Sequence, residues 1–268
     1  MRRFSREEIL KNLRKKIQNK QALLFGSAGL GLTAKMQEQA GIDVIMTYCA
    51  CAFRADGIAN EVSQLAYVDA NEQTMELGRR LLKIVKKTPV IGGIGAADPY
   101  RDLEKLIMQL WEQGFSGFIN APSIGQYDAL FRKESDGSNI GYPQEEEMIR
   151  LCREKNIFST AFVFQEEDAC RMAEAGADVI CVHLGIEESM TVEEAGRKVR
   201  DIRTAAKEER EDVIVICHGG CLKTPEKVQQ CLLLSGAEGF FGSSVLESIP
   251  MQQGIGSIVK EFKSLQPR

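Results

Sequence analysis

The chain of 268 residues carries two histidines, and each stands at the end of an apolar, β-branched run: His183 in CVHLG and His218 in VICHGG. Imidazole is the side chain whose ordinary pKa lies nearest neutral pH, so two of them at neighbouring strand ends suit general acid and base work. Groups that could hold an anion stand beside them. Gly219-Gly220 follows the seventh apolar run and Gly242-Ser243-Ser244 the eighth. Backbone N–H groups can approach a ligand closely there, and serine hydroxyls add donors. Asn120, ending the fourth run, reads as an uncharged group facing a ligand. Arg54, Asp98, Arg132 and Glu134, with Asp56 and Tyr127, add polar candidates in the connections, although Asp98 is also placed to cap a helix.

Two other chemistries compete for these residues. Cys181, His183, Cys217, His218 and Cys221 crowd one region as a metal site would. Side chains alternate along a strand, however, so Cys181 shares a face with His183 while Cys217 and His218 point apart. No C-x-x-C pair is present, and the metal ligands stay unassigned. Gly29-x-Gly31-x-x-Ala34 imitates a dinucleotide fingerprint, yet it lacks the acidic residue expected about twenty positions on and the Gly-Lys-Ser/Thr of a phosphate loop. Gly29 and Gly31 therefore read as a glycine-rich rim loop facing the substrate. Nicotinamide or flavin chemistry rests on such glycine loops alone.

The elements that must position these groups follow from periodicity. Eight apolar runs, at 22–29, 43–50, 89–96, 115–122, 156–164, 177–185, 212–220 and 237–244, alternate with longer segments of helical spacing. That order predicts βα units around a parallel sheet whose strands are buried on both faces. Gly41, Gly114, Gly176 and Gly236 precede the second, fourth, sixth and eighth runs and read as left-handed helix caps. Asp98-Pro99, Thr224-Pro225 and Thr191-x-x-Glu194 read as helix starts. Eight such units close into an α/β fold, a single (β/α)8 TIM barrel over residues 21–268, with an extra N-terminal helix within 1–20 closing its bottom. Two connections at the strand carboxyl ends, 51–69 and 123–142, are long enough to be functional.

Composition narrows the partners. A net charge of −4, from 34 Lys and Arg against 38 Asp and Glu, gives no basic footprint for nucleic acid. No apolar run is long enough for a membrane span, and the basic first twenty residues lack a signal-peptide core. Eight cysteines in so long a chain read as reduced thiols, which predicts a cytoplasmic protein.

Seven ordered strings, GSAGLGLTAK, TPVIGGIGAADPYRD, GFSGFINAPSIG, FRKESDGSNIGYPQEEEMI, AGADVICVHLG, VIVICHGG and GFFGSSVLESIP, resemble the phosphoenolpyruvate-hydrolase-like family of TIM-barrel proteins over nearly the whole chain. The same barrel resembles the C-terminal domain of a plant tobamovirus-resistance protein. The resemblance points to the phosphoenolpyruvate mutase and isocitrate lyase superfamily, which makes or breaks C–C, P–C or P–O bonds of 2-oxo acids with Mg2+ held by acidic residues at successive strand ends. This chain departs from that pattern: its third strand ends Gly92-Gly93-Ile94-Gly95 and its fourth Asn120-Ala121-Pro122. Carried over onto matching positions are Gly29, Gly31, Arg54, Asp98, Asn120, Arg132, Glu134, His183, His218, Gly219, Gly220, Gly242, Ser243 and Ser244.

The expectation is a hydrolase or lyase for a small anionic 2-oxo acid, phosphorylated or β-dicarbonyl compound. His218 or His183 would be the base, and Asn120 with the rim amides would hold the oxyanion. The resemblance also suggests a homo-oligomer. A barrel that senses a ligand or binds a protein without turnover is the competing expectation, motivated by the resistance-protein resemblance and the missing carboxylates.

Overall fold

The computed structural model describes residues 2–185 and 189–266. Met1, residues 186–188 and residues 267–268 lie outside the described residues, so the expected segments 1–20 and 21–268 are seen without them.

Helix α1 (Arg6–Gln18) starts in a capping box, with the Ser5 hydroxyl accepting from Glu8 N and the Glu8 carboxylate accepting from Ser5 N. Its apolar face, Ile9, Leu10 and Leu13, is buried. Arg6 pairs with Asp178 at 2.6 Å and Phe4 N donates to Ser116 Oγ at 3.1 Å, both just ahead of a strand, so α1 closes the amino-terminal end of the barrel.

Strands β1 (Leu23–Ser27), β2 (Val44–Thr47), β3 (Val90–Ile94), β4 (Gly117–Asn120), β5 (Phe158–Val163), β6 (Val179–His183), β7 (Ile214–His218) and β8 (Gly239–Gly242) pair in parallel in chain order, and β1 meets β8 to close the barrel. Each lies inside the apolar run that predicted it. Helix α2 (Gly31–Gln39) follows β1, and α3 (Cys49–Ala55) and α4 (Ala70–Leu81) follow β2. Helix α5 (Leu103–Gln113) follows β3, α6 (Ala129–Gly137) and α7 (Tyr142–Glu154) follow β4, and α8 (Glu166–Ala175) follows β5. Helices α9 (Val192–Glu209), α10 (Pro225–Ser235) and α11 (Ser248–Lys263) follow β6, β7 and β8.

Gly114, Gly176 and Gly236 end their helices at φ of 117°, 102° and 72°, and Gly41 sits at 89°, a backbone region that lacks the side-chain clash only for glycine. Thr191 and Thr224 cap α9 and α10 as expected. The start expected at Asp98-Pro99 is displaced. Asp98 instead closes a turn, accepting from Tyr100 N at 2.8 Å and pairing with Arg101, and Asp102 caps α5 through Lys105 N. The long connections are also partly ordered: 51–69 holds most of α3 and a 3-10 turn at Asn60–Gln64, and 123–142 holds a 3-10 turn at Ile124–Gln126 followed by α6.

Candidate active site

The carboxyl ends of the strands surround a cavity of about 530 Å³. The carboxyl ends of β5 to β7 and the residues just after them contribute Phe162, Phe164, His183, His218, Gly219 and Gly220; the connection after β2 contributes Arg54, Asn60, Glu61 and Gln64; Tyr127, Lys223, Ser243 and Ser244 also line the rim.

Parallel register sets His183 directly opposite His218, and His218 opposite Phe241. The two imidazoles meet edge to face, 4.8 Å between centroids at 84°. Phe162 packs against both, at 5.3 and 5.8 Å. Cys217, the alternate residue on β7, is buried with its Sγ against Gly239 O, away from the cavity.

Hydrogen bonding gives the two rings opposite tautomers. His218 Nδ1 lies 2.8 Å from Phe241 O, and a carbonyl oxygen only accepts, so Nδ1 carries the proton and Nε2 keeps its lone pair. Gly185 N donates to His183 Nδ1 at 3.0 Å, so in the neutral ring Nε2 carries the proton. Burial, reinforced by the neighbouring His218, holds His183 well below the ordinary histidine range. Burial likewise holds His218 down at about 4, against the opposing pull of its bond to Phe241 O. Both rings are thus neutral at pH 7, one presenting a lone pair and the other an N–H.

Gly219, Gly220, Ser243 and Ser244 reach the cavity, as the anion-loop reading requires. Gly219 is fixed as glycine by φ of +85° and by the carbonyl of Gly185, 2.7 Å from where a Cβ would stand. Arg54 lines the wall, but its guanidinium is committed: Nε to Glu247 Oε2 at 3.0 Å, Nη1 to Asn60 Oδ1 at 3.0 Å and Nη2 to Ser27 Oγ at 2.6 Å. It braces the wall with its charge already paired.

The structure sets other candidates apart from the cavity. Gly29, Gly31 and Gly242 serve packing, since a Cβ would fall 2.0 Å from Cys51 O, 2.2 Å from Ile84 Cδ1 and 2.6 Å from Leu246 Cγ respectively. Asn120 is fully buried; its Oδ1 accepts from Phe162 N at 2.6 Å and its Nδ2 donates to Glu145 Oε2 at 2.5 Å and to Phe162 O at 3.2 Å, so it stitches β4 to β5 within the barrel. Asp98 borders a separate groove beside Arg101 and Asn71. Arg132 pairs with the buried Asp168 and lies over the Tyr142 ring, and Glu134 is exposed on α6.

Several residues escaped the sequence reading. Phe162 sits in the apolar stretch AFVF and looks like core. Glu145, within the solvent-like string QEEEM, is fully buried and receives Asn120, Ser123 Oγ and Ile124 N; burial pushes its carboxyl up to about 8. Asn60 and Gln64, on a 3-10 turn of the first long connection, carried no signal beyond that connection's length.

The Mg2+ implied by the superfamily resemblance does not fit these residues. Mg2+ takes oxygen ligands in near-octahedral geometry. The cavity instead offers imidazole nitrogens, amides and hydroxyls, with Glu61 its one lining carboxylate among the described residues. No group of three His, Cys, Asp or Glu positioned for a metal occurs among the described residues.

A closed parallel barrel with a polar cavity at its strand carboxyl ends defines the class as a TIM-barrel protein with its site at the usual mouth. Residues 8–265 match the phosphoenolpyruvate hydrolase-like family, and the chain belongs to it. It is similar to the ToMV susceptible protein tm-1(GCR26) of Solanum lycopersicum, at 34% identity over 96% of this chain and 35% of that protein, so it spans about a third of the length of that curated relative. Among solved structures it is similar to phosphonopyruvate hydrolase in complex with oxalate and Mg++, with a TM-score of 0.60 and 15% identity over 95% of this chain and 88% of that one. It is also similar to phosphoenolpyruvate phosphomutase from Streptomyces platensis subsp. rosaceus, with a TM-score of 0.62 and 14% identity over 95% and 86%. At such identities the likeness is one of fold.

Proposed function

We propose that the chain is a lyase or hydrolase acting on a small anionic 2-oxo acid or β-dicarbonyl compound, with the imidazole pair as its acid and base. The opposite tautomers of His183 and His218 carry this reading. Nε2 of His218 takes a proton from water or from an acidic substrate C–H. Nε2–H of His183 donates to the substrate oxygen that becomes negative. General acid and base groups contribute about 10² to 10⁴ in rate, and a ring held neutral is available for either task at pH 7. Ser243, Ser244 and the backbone at Gly219 and Gly220 line the side of the cavity suited to a carboxylate or phosphate. The family description and the phosphonopyruvate and phosphoenolpyruvate enzymes of like fold support this substrate class. The free cysteines fit work in the reducing cytoplasm.

A second reading, a barrel that binds such an anion without turning it over, is favoured by the cavity's poor fit to Mg2+ and by the likeness to a tobamovirus susceptibility protein. Proton and phosphorus NMR of the protein with oxaloacetate, phosphonopyruvate, phosphoenolpyruvate and simple β-diketo acids, with and without Mg2+, separates the two. Steady product formation supports the enzyme. Line broadening without product supports the binding barrel.

A further inference from the structure

A groove of about 450 Å³ opens at the barrel mouth where the connections after β2, β3 and β4 come together. Ser63, Gln64, Pro122 and Tyr127 line both this groove and the cavity at the strand ends, so the two hollows share one wall. A cross-link holds that wall: the Tyr127 hydroxyl donates to Gln64 O at 2.5 Å and ties the connection after β4 to the one after β2.

The groove differs in chemistry from the cavity beside it. Leu65, Val68, Ala97, Pro99, Tyr100 and Ile124 give it an apolar surface, and Leu65 and Tyr100 are 51% and 93% exposed. Its charged groups are already matched to one another. Asp98 Oδ1 accepts from Tyr100 N at 2.8 Å, and its Oδ2 accepts from Asn71 Nδ2 at 3.0 Å and Arg101 Nη1 at 2.5 Å. Asp69 Oδ1 accepts from Asn71 N and Glu72 N, both at 2.9 Å, and its Oδ2 pairs with Arg101 at 2.6 Å. Asn71 also exchanges two hydrogen bonds with the backbone of Gly95, which fixes the end of β3 against the start of α4. With each carboxylate oxygen partnered, the surface left for a ligand is apolar, and contiguous apolar surface beside a polar site marks a binding groove.

Size points the same way. The cavity alone, at about 530 Å³, lies in the range of about 300 to 1,000 Å³ that encloses a drug-sized ligand. A three- or four-carbon acid fills a fraction of it and leaves the groove empty.

We propose that the groove holds an uncharged apolar tail, alkyl or aryl, of the substrate whose anionic 2-oxo head occupies the cavity. This assignment rests on the reading of the cavity as a 2-oxo acid site, and it narrows that class to acids whose tail is long enough to pass the Gln64–Tyr127 bridge. The imidazoles and rim amides then select the head, and the connections after β2, β3 and β4 select the tail.

Calorimetric titration of the full chain with pyruvate, 2-oxobutanoate, 2-oxohexanoate and 2-oxooctanoate tests this. Burying a methylene tightens binding by up to about fourfold, so a gain of at least about tenfold is expected from 2-oxobutanoate to 2-oxooctanoate. A chain of the same length ending in a second carboxylate should lose that gain, because Asp69 and Asp98 stand in the groove wall. Leu65→Asp with Val68→Asp, both at exposed positions, should abolish it, and Ala97→Leu should reduce it by filling the groove. Pyruvate, too short to reach the groove, should bind these variants as it binds the wild type. A smaller gain with chain length, or a gain that survives the paired aspartates, overturns the proposal while pyruvate binding leaves the head site standing. Failure of every acid, short or long, to bind overturns both.

Discussion

His183 and His218 face each other across adjacent strands as complementary partners, one ring held by an N–H donor at Nδ1 and the other by a carbonyl acceptor at Nδ1. The barrel register brings the rings together, and the backbone at Gly185 and Phe241 fixes opposite tautomers in them.

The first consequence is in the pH dependence. His218 must be neutral to act as a base and burial holds it at about 4, so turnover should fall only as pH drops toward 4 and stay flat through the ordinary histidine range. Stability carries the same signature. The unfolded chain binds this proton at about 6.5 and the folded chain at about 4, so between those values the unfolded state holds more protons and stability declines as pH falls. At about 1.4 kcal/mol per unit the effect is on the order of 3 kcal/mol. Urea midpoints at pH 5 and 7 should differ more in the wild type than in His218→Asn, and equal differences would argue against a buried neutral ring.

The Arg54–Glu247 pair should be structural. Both side chains are buried, and breaking one half of such a pair leaves an uncompensated charge at a cost of about 3 to 5 kcal/mol. Glu247→Ala should therefore lose stability on that scale in urea unfolding. The double substitution Arg54→Met, Glu247→Leu should recover much of it.

Asn120 should matter for folding more than for chemistry. Asn120→Ala leaves the Phe162 N–H without its partner in the barrel interior, costing about 1 to 3 kcal/mol. A lowered melting temperature with ligand affinity changed only a few-fold is the expected result. Loss of turnover at unchanged stability would return Asn120 to the catalytic group.

The barrel was legible because every strand is an apolar run and the helix ends carry caps, so periodicity, Gly114, Gly176, Gly236 and Thr224 all point to one topology. The histidines were legible because strand ends converge in a barrel. The surroundings of Gly29 and Gly31 were not legible, because glycine written for close packing reads the same as glycine written for a ligand; only the third dimension brings Cys51 and Ile84 to them. The placement of Arg132 and Glu134 was not legible, because the connection after β4 folds into α6 and turns Arg132 onto Asp168. Glu247 and Glu145 were invisible because their partners, Arg54 and Asn120, lie far away in sequence.

Turnover by His218→Asn, measured by the same NMR assay on whichever 2-oxo acid the wild type consumes, is the decisive measurement on the imidazole pair. A fall of at least about 10² in rate with the fold intact is expected, because the lone pair at His218 Nε2 is removed while that at His183 Nδ1 is already taken by Gly185 N. Undiminished turnover in that variant would contradict it.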